Sequence, residues 1–407
     1  MSNAQISLRR YALFDFGTSA FSTIIITFVF GVYFTGTVLP GDAGQITWSY
    51  ALGASGILIA LLAPAIGLYS DRRPNSLMPI LRTLLLASVA TTALLYFAVP
   101  QASLGTLFIV VPALILANAS MELALLLYNR LLPMTLPAGD PAEHMGRNSG
   151  LAWGAGYIGG LLALVAVLFG VMKLMPAAEA ARLSPLLVAV WVLVCSLPLL
   201  TKRIVNEQPV PLSRLPRVFL QLLARPRLLW FLLASMFYRD GLITLFAVGG
   251  IYAHAVYNMP MQEVILFAIG LNLTAGFGAF LFAQFGMKVP QLKLIRICLI
   301  GLIVLGTIVL SAPDKMTFIA GALALGLFIG PVQASSRTWL IENSPEDMLG
   351  LNQGLYALTG KATSFMGPLF YGLVVQVTGN LTWALGVIPF FWLVGLLFLY
   401  RVSDERV

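Results

Sequence analysis

A row of about twelve long apolar segments runs through the sequence, and each is close to the ~20 residues that a helix needs to cross a bilayer. Of the 407 residues, 59% are hydrophobic and only 10% are charged. Typical soluble domains contain about 25% charged residues, and a water-soluble fold could not cover so much apolar surface. The sequence therefore predicts an all-α membrane protein whose function depends on the polar groups left inside the bilayer.

The segments predict twelve transmembrane helices in two pseudo-symmetric six-helix bundles. Residues 203–227 are polar, then basic, and contain four prolines, which is typical of a linker. The predicted organisation is an N-terminal bundle over residues 1–202, a cytoplasmic basic linker over 203–227 and a C-terminal bundle over 228–407. The twelve predicted helices span residues 11–34, 45–70, 77–99, 104–128, 148–171, 185–202, 228–254, 262–285, 292–311, 316–341, 351–377 and 382–400.

The two predicted halves look like copies of one another. The sequence at the start of predicted helix five recurs at the start of predicted helix eleven, with five identities at a constant separation. A shared asparagine between glycines makes a chance match harder to accept, and parallel six-helix repeats around a midplane site are typical of transporters. The matching pairs are Gly146 and Gly350, Asn148 and Asn352, Gly150 and Gly354, Leu151 and Leu355, and Gly156 and Gly360.

The positive charge is concentrated on one side of the predicted membrane. Sixteen of the 24 Lys and Arg residues lie in the termini and the even-numbered loops, and only Lys173, Arg182 and Lys315 lie in loops on the other side. Cytoplasmic loops of membrane proteins carry such an excess, so both termini are predicted to be cytoplasmic. The net charge of +8 is then a topology signal, and we expect no nucleic-acid partner.

A few charged residues fall inside the predicted membrane segments, where each costs several kcal/mol unless it has a partner or water. Arg239 and Asp240 lie about halfway along predicted helix seven, and Lys361 lies at a comparable depth in helix eleven. Asp240 and Lys361 could form a pair on neighbouring helices. The pair could belong to a substrate or coupling site, or it could only hold the bundle together.

Two further carboxylates lie in the first half. Burial would raise the pKa of Glu122 in helix four and a nearby cation would lower it, so Glu122 could exchange protons near neutral pH. Alternatively, Glu122 pairs with Arg130 or Arg147 at the cytoplasmic end. Asp15 lies only a few residues into helix one and could be a gate residue, a helix cap or a ligand.

Motifs for enzymatic chemistry are missing from the sequence. The Gly360-Lys361 pair is followed by Ala362, where a phosphate-binding loop needs Ser or Thr. His144 and His254 have no Cys or His neighbour at ligand spacing, so we expect no metal site and no cofactor. The sequence also lacks a Ser/His/Asp elbow, and we expect that the protein is not an enzyme.

The link between helices two and three, Gly67-Leu-Tyr-Ser-Asp71-Arg72-Arg73, resembles the cytoplasmic Gly-x-x-x-Asp-Arg signature of the major facilitator superfamily. The resemblance implies that Asp71 caps and gates the cytoplasmic face. We expect Asp71 to bind the N-terminus of helix three or an arginine across the interface. The corresponding loop of the second half, residues 286–290, contains no Asp.

The remaining gate residues are cationic. We expect the cytoplasmic gate to consist of Asp71, Arg72, Arg73, Arg147 and Arg337. Arg337 also lies near a cytoplasmic helix end, as do Arg82 and Arg296. The long side chains of these three arginines are expected to snorkel to the membrane surface.

A narrower resemblance runs from helix one to helix eleven. The sequence is similar to the vacuole-effluxer-like branch of that superfamily, which includes autophagy-related amino-acid effluxers of fungi and bacterial relatives. The resemblance implies a twelve-helix facilitator fold, amino-acid export and a bacterial inner-membrane location. The stretches that carry it are Phe14 to Phe21, Tyr128 to Pro133, Gly146 to Gly160, Phe237 to Gly241, Gln333 to Arg337, and Gly360-Lys361 followed by Gly367-Pro368.

These observations predict a monomeric secondary transporter that moves a small polar solute by alternating access, with export and proton coupling as the expected mode. Arg239 or Lys361 would hold a substrate carboxylate, and Asp240 an amine or a proton. Two alternatives stay open: an exporter of a larger organic acid, peptide or siderophore, and a lipid-scrambling protein of the same fold. The predicted substrate and coupling residues are Asp15, Asn118, Glu122, Arg239, Asp240 and Lys361.

Overall fold

The structure is a computed structural model, and it describes residues 5–40, 42–137, 143–202, 225–259, 261–285, 289–345, 348–363 and 366–402. The side chain of Lys361 lies outside this description, as does most of the predicted linker. The regular elements in these ranges are helical throughout. The chain is thus a multi-pass all-α protein, as the apolar segments predict.

We number the long helices in chain order. They are α1 (Leu8–Val38), α2 (Asp42–Arg72), α3 (Leu77–Leu94), α4 (Leu104–Arg130), α5 (Glu143–Val165), α6 (Ala177–Leu200), α7 (Pro226–Tyr257), α8 (Met261–Phe285), α9 (Gln291–Leu310), α10 (Lys315–Glu342), α11 (Leu349–Ala362), α12 (Met366–Thr378) and α13 (Leu381–Tyr400). Helix α1 has π-helical turns at Phe21–Phe28 and Phe34–Val38, and short single turns occur at Pro74–Ser76, Leu95–Phe97 and Leu132–Thr135.

Polar side chains fix several helix starts. The hydroxyl of Ser103 accepts from the Thr106 N–H at the start of α4, and the carboxylate of Asp314 accepts from the Thr317 N–H at the start of α10, at 3.3 and 2.9 Å. The Asn380 side chain caps the start of α13 in the same way. Such caps satisfy backbone donors that the first helical turn leaves free.

Within the described residues, nine helices are long and apolar enough to cross a membrane. They correspond to predicted helices one to four, six, seven, nine, ten and twelve. Predicted helices five, eight and eleven are helical as well, but the apolar helices at eight and eleven are shorter, at Ile269–Gln284 and Met366–Thr378. The count of twelve spanning helices therefore stays a prediction.

Predicted helix eleven is not continuous, and this part of the prediction is wrong. The helix is divided into α11 and α12, and Thr363 marks the C-cap of α11. Proline at position 368 has no N–H for a helical hydrogen bond, and its ring clashes with the carbonyl four residues earlier. Since α12 begins at Met366, Pro368 lies in the first turn of α12, where no such bond is needed.

Two hydrophobic cores lie on either side of the predicted linker. One core is built from residues between Ile6 and Leu200, and the other from residues between Leu228 and Val402. Two side chains from the second half, Ile341 and Leu349, are buried in the core of the first half. The division of the chain at 203–227 stays a prediction, but each half has its own packed interior.

Equivalent polar contacts in the two halves agree with the internal repeat. The Asn148 side chain on α5 donates to the Thr135 hydroxyl in the preceding loop at 2.9 Å. The Asn352 side chain on α11 donates to the Ser344 hydroxyl in its own preceding loop at 2.8 Å. The paired asparagines of the repeat therefore anchor the same kind of loop in each half.

The arginines on α3 and α9 also have matching partners. Arg82 donates to the Leu200 carbonyl at the end of α6 at 2.6 Å, and Arg296 donates to the Val402 carbonyl after α13 at 2.9 Å. Both side chains are part-buried and bind carbonyls that a helix end leaves free. Each arginine therefore reaches the end of a neighbouring helix, and the expectation that these two side chains snorkel stays a prediction.

Candidate functional site

The two halves meet along two helix pairs whose contact faces are lined with glycine. On the first pair, α2 and α11, Gly67 lies against Gly350, and Gly354 lies against Ala63. A Cβ on Gly67 would overlap the backbone of Gly350. Small residues let two membrane helices approach this closely, so the backbone of α11 lies directly on that of α2.

The second pair, α5 and α8, has the same design. Gly150 lies against Ala279 and Ala283, and Gly154 lies against the ring of Phe280. By the repeat, Gly150 corresponds to Gly354, and the two residues make equivalent contacts with the opposite half. Both copies of the sequence repeat therefore form contacts between the halves.

Asp71, at the end of α2, binds the start of α11 across this interface. Its two carboxylate oxygens accept from the N–H groups of Gly350 and Leu351, at 2.8 and 2.7 Å. The same carboxylate pairs with Arg130 of α4 at 3.0 Å, and Arg130 also donates to the Ser70 carbonyl at 2.6 Å. We call these five residues the Asp71 cluster; Asp71 is 1% exposed.

The Asp71 cluster corrects one expectation from the sequence. The helix start that Asp71 binds belongs to α11 of the other half, not to helix three, and its arginine partner lies in the same half rather than across the interface. A carboxylate at a helix N-terminus is stabilised by free N–H groups and by the helix dipole. Asp71 therefore ties the halves together through backbone groups.

Arg337 of α10 makes a second connection across the interface. Its guanidinium donates to the Asp15 carboxylate of α1 at 3.3 Å, to the Asn129 side chain at 3.1 Å, and to the Ser149 hydroxyl and carbonyl of α5 at 3.0 and 2.8 Å. We call these four residues the Arg337 cluster. Arg337 is 4% exposed, so its predicted snorkelling is wrong: the acceptors lie inside the interface.

Aromatic rings surround the Arg337 cluster. The guanidinium carbon lies 5.7 Å from the ring centres of Tyr11 and Trp153 and 5.9 Å from that of Tyr128. The Tyr128 hydroxyl donates to Asp15 at 3.2 Å. Aromatic faces attract a cation, and they keep the ion pair out of water, where it would be weak.

The other expected gate residues lie outside these two clusters. Arg73 is exposed and contacts Tyr69 of its own helix, with its side chain donating to the Tyr69 hydroxyl at 3.3 Å. Arg147 is exposed, and Arg72 is half-buried. Of the five predicted gate residues, the structure brings Asp71 and Arg337 into contacts across the interface.

Arg239, one of the predicted central residues, is directed at α11. It donates to the Tyr356 carbonyl at 2.8 Å and lies over the Tyr356 ring at 4.2 Å from its centre. Gly360 lies directly against the guanidinium, and its repeat partner, Gly156, lies against Asp15 and Ser19 of α1. The first helix of each half therefore places a charged residue against a paired glycine.

Asp240 binds the start of α12. One carboxylate oxygen accepts from the Gly367 N–H at 2.9 Å, while the other is buried without a hydrogen-bond partner among the groups that the structure describes. Asp240 is 1% exposed. The pairing of Asp240 with Lys361 stays a prediction, because the Lys361 side chain lies outside the described residues.

The two remaining predicted site residues lie on α4. The Asn118 side chain donates to the Ser55 hydroxyl of α2 at 2.6 Å and is buried. Glu122 is half-buried and lies one helical turn further along. Asn118 therefore joins two helices of the first bundle.

Several contacts of the candidate site were not predicted from the sequence. The backbone carbonyls of Ser149 and Tyr356 accept hydrogen bonds from Arg337 and Arg239. A contact with a backbone carbonyl does not depend on residue type, so the sequence gives no sign of it. Tyr157 of α5 accepts from the Gln333 side chain of α10 at 3.0 Å, which is a further link between the halves. Gln333 and Tyr157 both lie in stretches that carry the family resemblance, which was the one available signal.

The two charged clusters that join the halves lie toward one end of the helices. Asp71 is in the last turn of α2, Gly350 in the first turn of α11, Ser149 in the second turn of α5 and Arg337 in the penultimate turn of α10. These are the ends next to the chain termini and the basic loops, and we call this end the basic side. The two halves are thus bound to each other at the basic side.

Comparisons with known proteins agree with this geometry. The chain belongs to the vacuole effluxer Atg22-like family, which matches residues 45–407. An uncharacterised transporter of the major facilitator type from Bacillus subtilis is 22% identical over 97% of this chain and 94% of that protein. Autophagy-related protein 22 of Cryptococcus neoformans is 27% identical over 44% of this chain and 36% of that protein.

Solved structures show the same fold. The fucose:proton symporter of E. coli superposes with a TM-score of 0.75 and 16% identity over 98% of both chains. A bacterial homologue of the iron transporter ferroportin, in an outward-facing state, has a TM-score of 0.75 and 13% identity over 98% of this chain and all of that one. The relatives and structural neighbours are transporters, not enzymes, and the predicted major facilitator fold is confirmed.

Proposed function

We propose that this member of the family is a secondary transporter that moves a small polar solute across the membrane by alternating access. The observation that carries the proposal is the pair of buried charged clusters that bind the two halves at the basic side. Asp71 holds the backbone of the opposite half, and Arg337 holds both Asp15 and Ser149. A two-state transporter needs contacts of this kind, which close one side and can be exchanged for others.

The conformation corresponds to one of the two states of alternating access. Because the basic side is closed, a solute would enter and leave from the opposite side in this state. By the positive-inside rule the basic side is cytoplasmic, so the state is outward-facing. Opening the basic side must break both clusters, and a ligand can drive this only by binding the open state more tightly.

The charged groups further along the helices favour a small organic ion as substrate. Arg239 offers a guanidinium to a carboxylate, and Asp240 offers an acceptor to an amine. An amino acid or a similar zwitterion matches this pairing, and the family description, a vacuole effluxer, agrees with export. We further propose proton coupling, an inner-membrane location and both termini in the cytoplasm.

Transport by the purified full-length chain in proteoliposomes tests the proposal. Vesicles loaded with a mixture of amino acids should accumulate a labelled amino acid by counterflow, and Asp71→Asn should reduce the rate at least ~10-fold. Exposed Arg147→Gln is the matched control and should keep the wild-type rate.

Two other outcomes would replace this proposal. Counterflow of peptides or siderophores, without amino acids, would assign a larger organic substrate. Movement of fluorescent lipids between leaflets, without counterflow of any solute, would assign lipid scrambling.

A further inference from the structure

A hydrogen bond between Tyr157 of α5 and Gln333 of α10 joins the two halves one helical turn beyond Arg337. The Gln333 side-chain N–H donates to the Tyr157 hydroxyl at 3.0 Å. Gln333 precedes Arg337 by four residues, so it lies one turn further from the basic side. Arg337 and Ser149 are buried, whereas Gln333 and Tyr157 are half-buried. The burial of the interface therefore decreases at this pair.

The packing of α5 turns Tyr157 toward the space between the halves. The preceding residue, Gly156, lies against α1 of the same half, and Gly276 on α8 of the other half lies against Tyr157 itself. Ile158 and Leu162, on another face of α5, are exposed. The Tyr157 side chain therefore lies between the halves, where a solute that crosses the protein must pass.

The pair has hydrogen-bonding groups that it does not use. Tyr157 is the acceptor of the observed bond, so its own O–H and the Gln333 Oε1 atom have no partner among the groups that the structure describes. If the amide is turned over, Tyr157 donates to Oε1, and its lone pairs and the amide N–H groups are left. One donor and one acceptor therefore remain in either orientation.

Trp153 adds a second donor next to this pair. It lies one turn before Tyr157 on α5, and the two ring centres are 6.0 Å apart. The indole N–H of Trp153 is buried and has no acceptor within the described part of the chain. A buried polar group without a partner is costly, so a ligand that supplies an acceptor here would gain affinity.

The charges beside these groups already neutralise each other, because Arg337 is paired with Asp15 at 3.3 Å. A carboxylate only accepts hydrogen bonds and an ammonium group only donates them. Neither matches a pair that offers one donor and one acceptor. A hydroxyl or a carboxamide both donates and accepts, and it carries no charge. The free groups therefore favour a neutral polar ligand over a charged one.

The pair lies at a depth similar to that of the charged groups proposed to hold the ends of an amino acid. The hydroxyls of Tyr238 on α7 and Ser336 on α10 form a hydrogen bond at 2.8 Å. Arg239 and Asp240 follow Tyr238 directly, and Gln333 lies less than one turn from Ser336. Each of these residues lies further from the basic side than the bond does. One small solute could therefore extend from one set of groups toward the other.

We propose that Tyr157, Gln333 and Trp153 form a subsite that binds a hydroxyl or carboxamide group on the side chain of a transported amino acid. The proposal rests on the transport function proposed above and names its substrate class, the neutral polar amino acids. The solute group replaces the bond between Tyr157 and Gln333 with bonds of its own. An apolar solute of the same shape is rejected because it leaves the donors and the acceptor unpaired.

Matched pairs of solutes measure this preference. Threonine and valine have nearly the same shape and differ by one hydroxyl, and glutamine and glutamate differ by one charge. The apparent affinity of the full-length protein in lipid nanodiscs follows from the rise of Tm with solute concentration. We expect threonine or glutamine to bind at least ~10-fold more tightly than its partner in one or both pairs.

Substitutions assign the preference to the proposed subsite. Tyr157→Phe and Gln333→Met keep the size of the side chain and remove its hydrogen-bonding groups. Each should lower the affinity ratio within the pair roughly 3- to 10-fold, mainly by weakening the polar solute. Tyr50→Phe is the matched control and should keep the ratio, because Tyr50 is exposed. A ratio of two solutes on one variant is insensitive to a general loss of stability. If Gln333→Met does not fold, Tyr157→Phe decides alone.

Several results would overturn the subsite. Wild-type affinities that are equal within both pairs, or that favour valine or glutamate, would do so, as would a ratio that Tyr157→Phe and Gln333→Met leave unchanged. Failure of all four solutes to bind would also overturn it. Counterflow of the same solutes in proteoliposomes reports on transport separately. A binding preference without counterflow would retain the subsite and refute the transport function, and counterflow without a preference would do the reverse.

Discussion

The two helix pairs that join the halves share their glycines and differ in their charges. At α2 and α11, the charged group is a carboxylate, Asp71, which binds the N–H groups at a helix start. At α5, the charged group is a guanidinium, Arg337, which binds a carbonyl and a hydroxyl of Ser149. The glycine packing is thus shared by the two pairs, while the charged group is a carboxylate at one and a guanidinium at the other.

The difference lies where the second helix of each half ends. The second half has no Asp in residues 286–290, where the first half has Asp71, and Gln291 lies against Gly146 instead. In the first half the arginine of α4, Arg130, pairs with Asp71 inside its own bundle. In the second half the arginine of α10 reaches Asp15 across the interface. Among the described residues, the arginine of each half thus pairs with a carboxylate of the first half.

The largest effect is expected at the Asp71 cluster. Asp71→Asn should leave Arg130 buried without its charge partner and weaken the contact with α11, which costs ~3–5 kcal/mol for a buried pair. The state open at the basic side should gain population. The rate at which a maleimide labels Ser70→Cys, in a background without Cys195 and Cys298, measures this. An unchanged rate would reduce Asp71 to a simple helix cap.

Substitutions in the Arg337 cluster should have a smaller effect, and the losses of stability at Arg337 and Asp15 should be strongly coupled. Arg337→Gln and Asp15→Asn should each destabilise the protein, because each leaves a buried charge alone. The double variant should lose less than the sum, with a coupling energy of ~1–3 kcal/mol in the thermal or denaturant unfolding of all four proteins. Additive losses would mean that Asp15 and Arg337 are not partners, and Ser149 alone would hold the guanidinium.

The loss of stability on replacing a glycine with alanine should depend on the atoms that the new Cβ meets. Gly67→Ala meets the rigid backbone of Gly350, and Gly150→Ala meets the Ala283 side chain, 2.8 Å from the new Cβ. Overpacking costs ~1–3 kcal/mol, and we expect Gly67→Ala to lie at the upper end. Unfolding of both variants, with Gly53→Ala as the control because its Cβ meets open space, tests the order. Equal losses would show that the two pairs are equally tolerant.

The smallest effect is expected from the remaining predicted gate residues. Arg73→Gln and Arg147→Gln remove exposed charges and should change stability by less than ~0.5 kcal/mol. Transport at saturating solute should stay at the wild-type rate. A loss of transport in Arg147→Gln without a loss of stability would place that residue in the gate after all.

Local sequence features could predict the positions of the contacts but not their partners. The Gly146 and Gly350 repeats mark the faces that meet, and the link around Asp71 resembles a gate signature. Arg337, by contrast, looks like a surface arginine near a helix end. Its partner Asp15 lies at the opposite end of the sequence. The two residues meet only because α10 and α1 are oriented so that they face each other. Backbone acceptors such as the Ser149 carbonyl have no signal in the sequence at all.

The break in predicted helix eleven could also be predicted only in part from the sequence. Gly367 and Pro368 are both present in the predicted span, but proline is tolerated within membrane helices, so a continuous helix over 351–377 was the simpler interpretation. At the start of α12, the Gly367 N–H donates to the Asp240 carboxylate instead of to a helical carbonyl. That contact joins residues of two different helices, and spacing along the chain does not reveal it.

The central claim is that the halves alternate between closure at the basic side and closure at the opposite side. Spin labels at Arg147 and Lys293 would report the basic side, and labels at Tyr50 and Val377, both exposed on the opposite side, would report the other. Distance distributions in lipid, with and without Asp71→Asn, are the most direct test. We predict that Asp71→Asn lengthens the first distance and shortens the second. Two distances that stay unchanged, or lengthen together, would contradict alternating access.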